Sequence, residues 1–174
     1  MDVTRLDWDS NFFGFNVAKI KGSSINENQL KNVLEYCRLN EISLLQFKSN
    51  LYQKKNINLA EKYKFNFVDL RITYLKKISQ IKGKIFKIKL ANEKDIPELK
   101  NICNNLFKYS RYYYDSNFDK TLINNFYKNW IEKSVIGNFD HGVYVYKEFK
   151  KIMGFLSFRK NKSFGEISLI GTSK

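Results

Sequence analysis

A single proline and a single histidine occur in 174 residues, with only two cysteines. Each shortage excludes something. With His141 as the one histidine and no CxxC pair, a zinc site of ordinary ligand spacing cannot be assembled, and no metal is expected. Cys37 and Cys103 both fall at apolar positions of predicted helices. They satisfy the count for one disulfide, but two buried thiols in a reducing cytoplasm are the simpler reading. No apolar run approaches the ~18 residues of a membrane-spanning helix. The opening segment MDVTRLDWDSNFFGF lacks the basic and then apolar stretches of a signal peptide. The expectation is a cytoplasmic protein without a membrane span.

Arginine is also scarce. The chain carries 31 basic residues against 17 acidic, a net charge of +14, but only five of the basic residues are arginine. Nucleic-acid readers rely on arginine for bidentate phosphate and base contacts. The lysines here are scattered, without a run of five, so the charge reads as a lysine-rich composition and no nucleic-acid partner is expected. A small polyanion, such as a nucleotide, gains from the same field.

What is abundant is apolar and aromatic: 43% hydrophobic and 16% aromatic residues, from 15 Phe, 11 Tyr and 2 Trp. That is enough to build a large core. FFGFNVAKIK at 12–21 reads as a strand. From Asn26, Leu30, Val33, Leu34 and Cys37 recur at the spacing of one helical face, with Asn26 or Ser24 as the candidate cap. SLLQFK at 43–48 reads as a short strand, and a helix follows near 56–64. NFVDLRITYLKK at 66–77 alternates as a further strand, with Val68, Leu70, Ile72 and Tyr74 on one side.

The polar stretch 78–83 reads as a linker, dividing a small α/β unit at 1–80 from a second unit at 84–174. The second opens with a strand, KIFKIKL at 84–90. Asn92 and Asp95 form a box-like helix start, and Ile96, Leu99, Cys103 and Leu106 supply its apolar face. Residues 108–118 read as a loop. Asp119 then opens a helix with a stripe of Leu122, Phe126 and Trp130, ended by Gly137. Three strands follow at 142–147, 151–159 and 164–171, expected to form one antiparallel sheet with 84–90.

The order strand, helix, helix and three strands resembles the front of the GNAT acyltransferase fold. IFKIKLANEKDIPELKNIC matches its opening strand and helix, and GVYVYKEFKKIMGFLSFRKNKSFGEISLIGTSK its central hairpin and fourth strand. LDWDSNFFGFNVAKI at 6–20 and NFYKNWIEKSVIGNFDHGVYV at 125–145 resemble sugar-nucleotide N-acetyltransferases of the TDP-fucosamine acetyltransferase type. NLAEKYKFNFVDLRITYLKK at 58–77 is similar to the closing helix and strand of the same fold. The resemblance implies an α/β fold with a mixed, largely antiparallel sheet and flanking helices. It implies transfer of an acetyl group from acetyl-CoA to the amine of a nucleotide-linked amino sugar, as in cell-surface polysaccharide biosynthesis, with homodimerisation as a possibility. A truncated, non-catalytic remnant that binds a partner is the alternative reading.

In that family the fourth strand ends in a bulge. A loop of the form Gln/Arg-x-x-Gly-x-Gly/Ala then holds the CoA pyrophosphate at a helix N-terminus. The resemblance places that loop, and the family's catalytic tyrosine, after Lys174. These 174 residues are accordingly expected to bind acetyl-CoA weakly or not at all and to show no acetyl transfer. The implied cofactor contacts are backbone groups of Leu169, Ile170, Gly171 and Thr172 at the end of the fourth strand. Glu166, read as sharing a face with Ser168 and Ile170, is the candidate base for the acceptor amine, against a solvated glutamate. Arg111, Tyr112, Tyr113 and Asp115, with Tyr114 among them, are candidates for the nucleotide sugar, against a loop that merely packs. His141 reads as fixing a turn rather than as a base. Trp8, Phe12, Phe13 and Phe15 read as core.

Overall fold

The computed structural model describes residues 2–78, 87–104 and 106–173. It is a mixed α/β chain that divides into two compact units, residues 1–68 and 69–174. Most of the linker read at 78–83 lies outside the described residues.

The first unit begins with β1 (Val3–Arg5), α1 (Asp7–Phe13) and β2 (Val17–Ile20). The aromatic run read as strand from residue 12 therefore enters as the end of a helix. Trp8 and Phe12, four apart, stand on one helical face with rings 6.1 Å apart. Gly14, at φ 77°, ends the helix and turns the chain into β2. Asn26 caps α2 (Glu27–Leu39) in a full capping box with Gln29. β3 (Leu44–Gln46) and α3 (Lys54–Lys62) follow. β1 pairs antiparallel with β2, and β2 pairs parallel with β3 across the α2 crossover. The core gathers Val3, Ala18, Ile20, Ile25, Leu30, Val33 and Cys37.

Residues 66–78 lie in no strand despite their alternation. The strand expected at 66–77 is thus absent from every ladder among the described residues. Its Leu70, Ile72, Tyr74 and Leu75 are exposed.

The second unit holds a four-stranded antiparallel sheet in the order β4 (Ile88–Leu90), β5 (Gly142–Glu148), β6 (Lys151–Lys160), β7 (Gly165–Thr172). This is the pairing that the alternation and short connections lead one to expect; residues 84–86 of the first strand lie outside the described residues. Between β4 and β5 the chain makes a 3₁₀ turn (Glu93–Asp95), α4 (Ile96–Cys103), a four-residue helix α5 (Arg111–Tyr114) and α6 (Lys120–Val135). Asn92 and Asp95 form the expected box, and Asp95 also pairs with Lys147 of β5. The segment expected as loop at 108–118 thus contains one helical turn.

Asp119 caps α6, but the buried stripe is Ile123, Phe126, Tyr127, Ile131 and Ser134 rather than one through Leu122, which stays exposed. The stripe turns because Trp130 sits at its margin, its indole N–H directed at Asp140.

The sheet has two unlike faces. Val143, Val145, Ile152, Phe155, Ser157 and Leu169 are buried on one. The other carries Ile88, Leu90, Tyr144, Tyr146, Ile167 and Ile170, which are 36–62% exposed. The cross-strand register puts these six on one side, with Leu156 and Phe158 among them.

Candidate functional site

The site is built around an irregularity in β7. Ser157 of β6 faces Leu169, but the next residue, Phe158, faces Ile167. Ser168 is therefore one residue too many: a β-bulge. The extra residue changes which way every neighbour points. Glu166, opposite Arg159, and Leu169, opposite Ser157, lie on the helix-covered side. Ile167 and Ile170 both lie on the open side. The expected shared face of Glu166, Ser168 and Ile170 does not exist, because strict alternation holds only in an unbulged strand.

The bulge is held from behind by one carboxylate. Asp140, with no exposed side-chain surface, lies just before β5. Its Oδ1 accepts from Ser168 Oγ at 3.0 Å and from Arg159 Nε at 2.6 Å. Its Oδ2 accepts from Trp130 Nε1 at 3.1 Å and Ser134 Oγ at 2.9 Å. Ser157 also donates to it, and the Ser157 Oγ accepts in turn from the backbone N–H of Leu169 at 3.0 Å. Burial alone would raise the Asp140 pKa, but these donors outweigh it and hold the carboxyl below its usual range. Sequence reading took Phe139-Asp140-His141 as part of a resemblance and missed the hub. The signal was Trp130 and Ser134 at i and i+4, aimed at an acid in the turn that follows.

His141 is exposed, and its Nδ1 accepts from the backbone N–H of Lys160 at 3.3 Å. Its backbone N–H donates to Phe158 O at 2.9 Å. It ties the turn to β6.

Backbone direction decides which groups of β7 are open. Ser173 N donates to Met153 O at 3.0 Å. Counting back by alternation, Gly171 and Leu169 turn their main-chain groups toward β6, whereas Ile170 and Thr172 turn theirs to the outer edge. That edge pairs with no strand among the described residues. Of the four candidate cofactor residues, two thus present their backbone outward. Gly171 is needed for contact on the sheet face: a Cβ there would come within 2.3 Å of Leu106 Cδ2 and 2.9 Å of Phe155 Cε1.

Through Leu106 the interhelical segment reaches the end of β7. Its neighbour Phe107 stacks on Tyr127 at 4.3 Å, and Tyr112 packs on Phe126 at 4.8 Å. Tyr112 is buried, and its hydroxyl accepts from Arg111 Nη2 at 2.7 Å. Tyr113 donates its hydroxyl to Asn124 Oδ1 at 2.8 Å, and burial raises its pKa. Asp115 accepts from the backbone and side chain of Asn117, closing the turn before α6. Tyr114 alone of this group is mostly exposed.

Glu166 lies five residues from Gly171, about 16 Å along a strand, and pairs with Arg71 at 3.2 Å. Both cysteines are buried and unbridged, and burial pushes the Cys103 thiol up to about 12. Among the described residues no three of His, Cys, Asp and Glu gather as a metal site, and no helix is long and apolar enough to cross a membrane.

Compared with models of known protein families and with curated proteins, the chain matches none. The functional reading rests on the geometry and on the residues themselves.

Proposed function

We propose that the chain is an acyl-CoA-dependent N-acetyltransferase of the GNAT type, acting on the amino group of a nucleotide-linked amino sugar. The observation that carries this reading is the bulge at Ser168. Beyond it, Ile170 and Thr172 turn main-chain groups to an edge that pairs with no strand among the described residues. A pantetheine arm carries two amides and can pair with such an edge as a strand does. The order of elements around it, strand, two main helices, then three antiparallel strands, supports the same reading.

In this scheme acetyl-CoA supplies the acyl group as a thioester; the neutral amine attacks its carbonyl, the C–N bond forms as the C–S bond breaks, and CoA leaves as a thiolate that ends protonated. The chain positions the two substrates rather than reacting itself. Asp140 holds the bulge, and the bulge aims Ile170 and Thr172. The segment Arg111–Asp115, joined to Gly171 through Leu106, Phe107 and Tyr127, borders the acceptor's side. Arg111 is its cation for a diphosphate. Glu166, paired with Arg71 at the opposite end of β7, is too remote to take the amine's proton at Gly171. Water takes it instead.

The test is amide NMR of the 174-residue chain titrated with acetyl-CoA at millimolar concentration, then with a nucleotide-linked amino sugar. Strand-edge bonds are worth about 1 kcal/mol each, so weak, fast-exchange binding is expected. Shifts should cluster at Ile170–Thr172 for the first ligand and at Arg111–Asp115 for the second. No shift at Ile170–Thr172 overturns the reading.

A non-catalytic, partner-binding role is the second reading. The exposed apolar face of the second sheet favours it.

A further inference from the structure

A depression of about 490 Å³ opens at one end of the first unit's sheet, where the chain leaves β1 and enters β2 and β3. Arg5, Ser10 and Asn16 form its wall, and Asn11, Phe15, Glu41 and Ser43 stand around it. We propose that this depression binds a neutral, hydroxyl-rich small molecule of the chemical class of a monosaccharide. The site lies within the first unit and does not rest on the acetyltransferase reading.

The wall is fixed before any ligand arrives. Asn16 Oδ1 accepts from Arg5 Nε at 3.2 Å and from Nη2 at 2.9 Å, while Asn16 Nδ2 donates to Glu41 O at 3.1 Å. One amide thus ties the end of β1 to the loop before β3. The Asn16 main-chain oxygen accepts from Ser43 N at 2.9 Å and Leu44 N at 3.1 Å. Ser10 is buried; its Oγ donates to Leu6 O at 2.7 Å and accepts from Val17 N at 3.0 Å. A wall tied in this way needs little ordering when a ligand binds.

The rim is the opposite. The side chains of Asn11, Glu41 and Ser43 face solvent and make no hydrogen bond to another described residue. Arg5 keeps two of its five N–H groups after bonding Asn16 and Asp7. These groups select the ligand. The Glu41 carboxylate disfavours an anion, and the Arg5 charge, already met by Asp7, disfavours a free cation. What remains is a mixed set: an amide and a hydroxyl that both give and accept, a carboxylate that accepts, and a guanidinium that gives. Neighbouring hydroxyls of a sugar offer donors and acceptors side by side, and one carboxylate can take two of them. Half-buried Phe15 adds apolar surface for the sugar's C–H groups.

Glu41 carries a second sign. It follows α2 in the left-handed region, at φ 53°. Ile42 N donates to Cys37 O at 2.9 Å, the helix ending in which glycine ordinarily holds that place. A glutamate there strains the backbone, and its carboxylate gains no partner among the described residues. Strain of this kind gathers at ligand sites, and here the strained residue supplies the carboxylate of the rim.

The experiment is amide NMR of the 174-residue chain titrated with D-glucose, D-galactose and D-mannose at millimolar concentration, with glycerol and sodium acetate as controls. At least one sugar is expected to give saturable shifts at Asn11, Phe15, Glu41 and Ser43. Asn11→Ala, on the exposed side of α1, and Glu41→Gln should each weaken binding several-fold. Glu41→Gly removes the carboxylate and eases the backbone, so it should abolish binding at an unchanged or higher melting temperature. That separates loss of the site from loss of the fold. No saturable shift at these residues with any of the three sugars overturns the proposal, as does binding that Asn11→Ala and Glu41→Gln leave unchanged. Acetate or glycerol shifting the same amides as strongly as the sugars would show an anion site or simple solvation, and overturn it too. Acetyl-CoA is absent throughout, so either outcome leaves the acetyltransferase reading to its own test.

Discussion

Ser168 donates its hydroxyl to Asp140 at 3.0 Å, so the one surplus residue of β7 is fastened to the turn that precedes β5. The same carboxylate takes donors from α6 and β6. Removing it leaves several buried donors unpaired at once. Asp140→Ala is expected to destabilise the second unit by about 3–5 kcal/mol, the range for breaking a buried charged network. Asp140→Asn, which keeps acceptor oxygen but not charge, should lose less. Urea unfolding midpoints followed by Trp130 fluorescence compare the two. A loss under about 1 kcal/mol for the alanine variant, as for a surface pair, would remove Asp140 from its central place.

The same carboxylate sets an acid limit. Asp140 and Asp95 both have pKa values held below the ordinary 3.8. Burial opposes the charge in each. It is outweighed at Asp140 by hydroxyl, indole and guanidinium donors, and at Asp95 by Lys147 and the Asn92 N–H. A lowered folded-state pKa means that the unfolded chain binds protons more readily. The stabilisation is therefore whole above the unfolded value and is lost as pH falls through the folded one. The melting temperature should hold to about pH 5 and drop below about pH 4. Asp140→Asn should show a shallower drop, read by thermal melts across the acid range.

The β5–β6 hairpin carries a defect that substitution can repair. Glu148 pairs with Lys151, which leaves Phe149 and Lys150 as a two-residue loop with φ of 46° and 68°. That is the conformation for which Asn-Gly is preferred, because a side chain there crowds the backbone. Phe149 is 99% exposed and gains nothing in return. Phe149→Asn with Lys150→Gly should raise stability by about 1–2 kcal/mol. A higher urea midpoint at unchanged slope would show it, and an unchanged midpoint would argue against strain in the turn.

How far the sequence could be read shows in particular residues. Asn92 and Asp119 marked their helix starts correctly, and of the two candidates Ser24 and Asn26 the structure takes Asn26, because an N-cap is a local hydrogen bond and needs no tertiary context. Residues 12 and 13 were misread because Phe12 and Phe13 suit a strand as well as a helix. Their packing, not their propensity, settles the matter. The bulge was invisible because Ile167, Leu169 and Ile170 are all apolar, and apolar residues on both sides hide a change of parity. The Asp140 hub was equally hidden, since four of its donors come from residues 130–168 and meet only in three dimensions.

Gly171 offers a sharp test of packing at the end of β7. An added methyl would meet Leu106 Cδ2 at 2.3 Å and the Phe155 ring at 2.9 Å. Overpacking of this kind costs about 1–3 kcal/mol. Leu106 is the flexible neighbour, so Leu106→Ala should lessen the cost of Gly171→Ala. A double-mutant cycle would then give a coupling of about 1 kcal/mol in favour of the pair. Additive losses would mean that the Phe155 ring, not Leu106, sets the limit.

The open face of the second sheet sets two forces against each other. Ile88, Leu90, Tyr144, Tyr146, Ile167 and Ile170 are 36–62% exposed on one side, and burial of such a surface against another copy is favourable. Against it stands a net charge of +14 on every chain. Charge repulsion is screened beyond about 10 Å at 0.1 M salt and about 3 Å at 1 M, while apolar attraction is not weakened by salt. Self-association should therefore increase with ionic strength, the reverse of what an ion-paired interface would do. Ile88→Lys with Leu90→Lys adds charge at the β4 side of the face, where the side chains are half exposed and little folding stability is at stake. Sedimentation velocity in low and high salt gives the comparison. The wild type should shift to larger species as salt rises, and the double variant should stay a monomer. Association that weakens with salt, or that the double variant retains, would place the self-contact elsewhere on the molecule.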